Sequence, residues 1–162
     1  MEGEIRMDFE KILAFLKALR GEQVEYVLVG AIALTVHGIV RATQDVDLFI
    51  RPEENNIQRF RAALMSLFPE DTSIQELSAA DLTGVYPVIR YISPDGSLVI
   101  DVMSRLGEMI SYESLQFEER SYAGVIVRVA TPATLYEMKK GTQRLQDRAD
   151  AAALREAFDL KG

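Results

Sequence analysis

The 162-residue chain contains no cysteine, which excludes a disulfide framework and a thiolate zinc site. No apolar run approaches the ~20 residues that a membrane-spanning helix needs. The start, Met1-Glu-Gly-Glu-Ile-Arg6, lacks the basic beginning and apolar middle of a secretory signal, so a cytoplasmic location is the expectation. Excess basic charge is also missing. There are 18 Lys and Arg against 25 Asp and Glu, a net charge of −7, whereas coating a duplex takes a basic face. That balance argues against general DNA binding and leaves a small anionic substrate open. Repeats, linkers and low-complexity segments are absent as well. The length suits one domain with a full hydrophobic core, and 48% hydrophobic residues with 27% charged is a soluble globular composition.

What is present is concentrated between Tyr26 and Ile50. Val24 to Val29 is a short apolar run, read as a core strand, and it meets Gly30. Ala31 to Val36 reads as a short buried helix ending at His37-Gly38, residues 38–44 as a loop, and Asp45 to Arg51 as a second strand. Side chains alternate faces along a strand, so Asp45 and Asp47 project to one side, roughly 7 Å apart at the backbone. Converging carboxylates are suited to hard divalent cations, and a helix N-terminus offers free N–H groups to phosphate. A third acid, Asp101, sits in the apolar run Leu98-Val-Ile-Asp-Val-Met103, where an unpaired carboxylate would be expensive to bury. Locally, Lys139, Lys140, Arg144 and Arg148 fall within three helical turns and make a small basic patch.

Elsewhere, Met7 to Arg20 has helical spacing with Gly21 as a stop, and Pro52-Glu53-Glu54 opens a helix running to about Phe68. Residues 69–83 are polar, with a helical turn at 78–81. Residues 85–92 and 97–103 read as a hairpin across Ser93-Pro-Asp-Gly96, and 124–130 as another strand. Thr131 is a helix cap before Pro132, and helices are expected over 132–141 and 147–158. The fold class is α+β: a mixed sheet of about five strands flanked by helices, with a core over 24–130 and a C-terminal helical segment over 131–160.

Gly30-Ala31, the helix that follows, His37-Gly38, Arg41-Ala-Thr43 and Asp45-Val-Asp47 resemble the signature of the DNA polymerase beta-type nucleotidyltransferase superfamily. The resemblance is closest to its small bacterial members, the minimal and abortive-infection-type nucleotidyltransferases. Asp101 fits their third carboxylate, and Leu135 to Asp150 resembles their C-terminal helical segment, so the likeness runs from about Val24 to about Leu154. It implies Mg2+-dependent transfer of a nucleoside monophosphate from a nucleoside triphosphate to an acceptor hydroxyl on a small molecule, RNA or protein, in a toxin–antitoxin or defence setting. Two Mg2+ ions are implied, with Mn2+ as an alternative, held by Asp45, Asp47 and Asp101. Gly30, Ala31, Arg41, Thr43 and Lys139 would bind the nucleotide. Either the acceptor would bind in the cleft between the sheet and the C-terminal helices, or a partner protein or a second copy of the chain would complete the site; residues 69–83 and 104–123 would touch the acceptor. The chain departs from the pattern at Ala31, where relatives carry Gly or Ser: the backbone N–H survives and the serine hydroxyl is lost.

Each helper has a plainer reading. Gly30 permits tight strand–helix packing, His37 is a helix-ending hydrogen bonder, and Arg41 pairs with the aspartates when no metal is bound. Thr43 fixes its loop, Lys139 is a surface residue, and Asp147 and Asp150 cap a helix. Tyr86, Tyr91, Tyr112 and Tyr122 are candidates for stacking a base. Two other functions fit the residues: a non-catalytic nucleotide-binding or protein-interaction module, and a metal-dependent phosphohydrolase.

Overall fold

The computed structural model describes residues 8–40, 45–84, 87–108, 110–139 and 145–160. Helix α1 (Phe9–Gly21) begins where the Asp8 carboxylate accepts from the Glu10 N–H, and it buries the stripe Ile12, Phe15, Leu16 and Leu19. Strand β1 (Tyr26–Val29) is buried at every position and leads directly into α2 (Gly30–Val36). Strand β2 (Val46–Ile50) follows, then α3 (Glu54–Leu67). Two short 3-10 turns, Thr72–Glu76 and Ala79–Leu82, fill the polar stretch before β3 (Val88–Ile92) and β4 (Val99–Met103). A two-stranded flap pairs β5 (Arg105–Leu106) with β6 (Ile110–Ser111). The hairpin β7 (Phe117–Tyr122) and β8 (Val125–Ala130) precedes α4 (Pro132–Lys139) and α5 (Leu145–Phe158).

The main sheet has the order β3-β4-β2-β1-β8-β7. Pairing alternates across it: β3–β4, β2–β1 and β8–β7 are antiparallel, while β4–β2 and β1–β8 are parallel. The fold is therefore α+β with a mixed sheet. The sixth strand, β7, lies in a segment that carries no strand signal in the sequence, because Phe117-Glu-Glu-Arg-Ser-Tyr122 places charges at successive positions. Such residues suit a solvated edge, where like-minded strands of other molecules must be kept off.

The register sets which residues share a face. Ile89, Val102, Leu48, Leu28 and Val129 stand in one row across five strands, all buried. The row beside it, Arg90, Asp101, Asp47 and Val29, points to the other face. One face is thus apolar core, with α1 packed on α3 and β8 and the Phe15 and Phe60 rings meeting edge-on at 6.2 Å. The opposite face receives the charged side chains. At the far end of the β1–β2 pair, buried Asn56 accepts from Glu25 N–H and donates to the carbonyls of Glu25 and Arg51, clamping both strand ends.

The β7–β8 turn is tight, with Ala123 (φ 49°) and Gly124 (φ 84°) both left-handed. A two-residue turn of this kind prefers Asn at its first position, since an alanine Cβ is strained there. Ala123→Asn is expected to stabilise the protein by about 0.5–1 kcal/mol, read as a higher midpoint in urea with an unchanged slope.

Candidate active site

Asp45 sits immediately before β2, Asp47 within it, and Asp101 in the neighbouring parallel strand β4, directly opposite Asp47. Each contributes one oxygen to a group in which all three lie within 4.8 Å of one another. Three hard oxygen donors converging this closely fit a divalent cation such as Mg2+ or Mn2+. Without one, the arrangement is electrostatically costly. Burial first, then the charges of Asp101 and Asp45, push the Asp47 carboxyl up to about 6. Asp101 is also raised, by burial and by a hydrogen bond with Asp45, while Arg90 pulls it the other way.

Arg90 is the residue that the sequence reading missed. From β3 it donates Nε–H to Asp101 Oδ1 at 3.0 Å and Nη2–H to Asp45 Oδ2 at 2.8 Å. A signal for it does exist in the sequence. The Ser93-Pro-Asp-Gly96 turn pairs Ile92 with Val99, and counting back two residues puts Arg90 opposite Asp101.

Gly30 starts α2 with φ +74°, packed against Asp47. A Cβ there would lie 2.2 Å from Asp47 Oδ2 and 2.9 Å from Asp47 Cβ and Cγ. Glycine is required because the carboxylate needs that space, which deepens the tight-packing reading of this position. Ala31 follows in the first turn of α2, its carbonyl accepting from Thr35 Oγ1. Gly30, Asp47 and Lys139 line a common cleft of about 240 Å3 whose apolar walls come from Val29, Met103, Leu135 and Met138. Lys139 is not a surface residue: its side chain is largely buried, and its Nζ lies 3.0 Å from Asp150 Oδ2. Asp150 is itself buried within α5, and its carboxylate is an ion-pair partner of Lys139.

Other candidates fall elsewhere. His37 ends α2, and its Nε2–H reaches the Ala130 carbonyl at 2.8 Å, the hydrogen-bonding role expected of it. Tyr91 donates to Asp71 and is buried, Tyr112 packs under Arg51, and Tyr122 meets Phe9 edge-on. None of these three lines the Asp47 cleft. Arg41, Thr43, Tyr86, Lys140 and Arg144 lie outside the described residues, as does the Asp147 side chain. No helix among the described residues is long and apolar enough to cross a membrane.

No protein-family model matches the chain, and no curated protein matches it. Solved structures do. An antigenic nucleotidyltransferase-like protein from Paracoccidioides brasiliensis superposes with TM-score 0.56 at 15% identity, covering 91% of this chain and 75% of that one. A Thermotoga maritima protein provisionally described as a nucleotidyltransferase gives TM-score 0.56 at 13% identity, covering 98% of this chain and 99% of that one. Strand order, mixed pairing and helices together place this chain in the nucleotidyltransferase-like fold.

Proposed function

We propose that the chain is a single-domain, divalent-cation-dependent nucleotidyltransferase of the small bacterial type, moving a nucleoside monophosphate from a triphosphate to an acceptor hydroxyl. The observation that carries this reading is the convergence of Asp45, Asp47 and Asp101 beside the Gly30 turn on a nucleotidyltransferase-like fold. Asp45 and Asp47 hold the cations together with Asp101; bound Mg2+ supplies charge neutralisation for the triphosphate and a lowered pKa for the attacking hydroxyl. Asp101 takes the proton of that hydroxyl, whose oxygen bonds to the α-phosphorus as the α–β bridging P–O bond breaks and pyrophosphate departs. Backbone N–H groups at Gly30 and Ala31 face the phosphates, and Lys139 offsets charge on the leaving pyrophosphate from the cleft wall. Arg41 and Thr43 join the nucleotide contacts on the strength of the sequence resemblance alone. The acceptor enters with help from a partner protein or second copy, in a toxin–antitoxin or defence setting.

Calorimetric titration of Mg2+ with each of the four nucleoside triphosphates tests this. Wild type is expected to show saturable, cation-dependent binding that Asp45→Asn/Asp47→Asn abolishes. Failure of every triphosphate to bind sinks the enzyme reading. The rival non-catalytic module draws on Ala31, which lacks a phosphate-reaching hydroxyl. Incorporation of labelled monophosphate into any acceptor excludes it.

A further inference from the structure

We infer that Arg90 is an internal counter-cation that competes with divalent cations for Asp45 and Asp101, keeping the cation affinity of the free protein low. The inference rests on the reading of the three aspartates as a cation site.

Packing does not put the guanidinium where it is. In the edge strand β3, Ile89 and Tyr91 turn inward, whereas Val88, Arg90 and Ile92 stay exposed, the Arg90 side chain at 55%. An exposed arginine with that much freedom is held by its partners, and its partners are two of the three cation-ligating carboxylates. One planar group bridges Asp101 Oδ1 and Asp45 Oδ2, taking acceptor sites that a hard cation would use. The remaining oxygens do not escape the competition, because a cation on them would sit within a few ångströms of the bridging guanidinium and would have to displace it. Arg90 is also readily displaced: being exposed, it can rotate into solvent once the cations neutralise the carboxylates. The consequence is a site that resists loading by cation alone and loads readily when a triphosphate brings its cation with it.

The decisive measurement is Mn2+ binding to nucleotide-free protein, by calorimetry and by the loss of the free-ion paramagnetic resonance signal. Arg90→Met is expected to bind Mn2+ about tenfold more tightly than wild type, with the gain shrinking as KCl is raised. Arg90→Lys keeps the charge but not the planar bridge, and is expected to fall between them. In chelator, Arg90→Met should unfold at lower temperature than wild type and recover when Mn2+ is added. Equal or weaker Mn2+ binding by folded Arg90→Met overturns the inference and makes Arg90 a brace that holds the carboxylates in place. Failure of wild type and Arg90→Met alike to bind Mn2+, with native circular dichroism, overturns the cation site and this inference together.

Discussion

Replacing Asp47 with asparagine is expected to stabilise the metal-free protein while removing its capacity to bind divalent cations. The two effects have one origin. Asp47 is held in a largely buried position beside two other carboxylates, and its affinity for a proton rises from the ordinary 3.8 to about 6. The unfolded chain binds that proton more weakly, so at neutral pH the folded state carries a penalty on the order of 1–3 kcal/mol for keeping Asp47 ionised. Asparagine removes the charge and keeps the shape. A gain of about 2 kcal/mol in a domain of this size corresponds to a melting temperature roughly 4–8 °C higher. Cation affinity should fall about 100-fold or more, since even indirect supports of metal ligands cost 10–100-fold when removed.

The pH dependence follows with a definite sign. Between about pH 4 and 6 the folded form binds more protons at Asp47 than the unfolded form, so stability falls as pH rises through that window. Asp101, raised as well, acts in the same direction. Asp95 acts oppositely. Hydrogen bonds from Ser97 and Ser93 hold it down to about 2, so its contribution is present above the usual carboxylate range and lost only as pH falls toward 2. The metal-free wild type should therefore be most stable near pH 4, where Asp95 is ionised and Asp47 is still protonated, and Asp47→Asn should flatten the decline toward pH 7. Thermal melts in chelator across pH 4–8 measure this; an Asp47→Asn melting temperature below wild type at pH 7 contradicts it.

Gly30→Ala carries the second large effect. An alanine at φ +74° is strained, and its Cβ would overlap the Asp47 carboxylate at 2.2 Å. The strain costs about 1–2 kcal/mol, and relieving the overlap adds about 1–3 kcal/mol of displacement. Because Asp47 Cβ and Cγ are also within 2.9 Å, rotating the carboxylate alone does not clear the way. Cation binding is expected to disappear along with the stability. A double-mutant cycle separates this from generic damage. Asp47→Gly deletes all three clashing atoms, so Gly30→Ala should cost about 1–2 kcal/mol less in that background. Additive costs would show that the glycine is needed for its backbone angle alone.

The strand–glycine–helix–strand unit was legible because apolar runs, a lone glycine and alternating aspartates are each local signals, and Asp101 stood out as a charge within an apolar strand. The antiparallel hairpin was legible from Ser93-Pro-Asp-Gly96, and the cap at Thr131 from the proline beside it; Thr131 Oγ1 accepts from Thr134 N–H as expected. What stayed hidden depends on partners far apart in sequence. Arg90 faces Asp101 by a register count across the Ser93–Gly96 turn, but its second partner, Asp45, is 45 residues away. Lys139 and Asp150 find each other only through the packing of α4 on α5. Nor could composition separate Tyr91, Tyr112 and Tyr122, because each is spent on a contact across the fold.

The pairing of Asp47 with Asp101 has a bearing on how the molecule assembles. Between these residues the chain makes α3, two 3-10 turns and β3 before β4 docks in parallel on β2. Closing a loop of that size is an entropic obstacle that local turns do not meet, and parallel pairings form slowly for that reason. The β2–β1 hairpin-like pair and the β3–β4 hairpin can form from neighbouring segments, yet neither alone gathers the three carboxylates. The repulsion that Asp101 adds to Asp45 and Asp47 therefore arises only when the central strands join, at the step where the chain can least accommodate it, and a cation present at that moment would speed the joining as well as reward it.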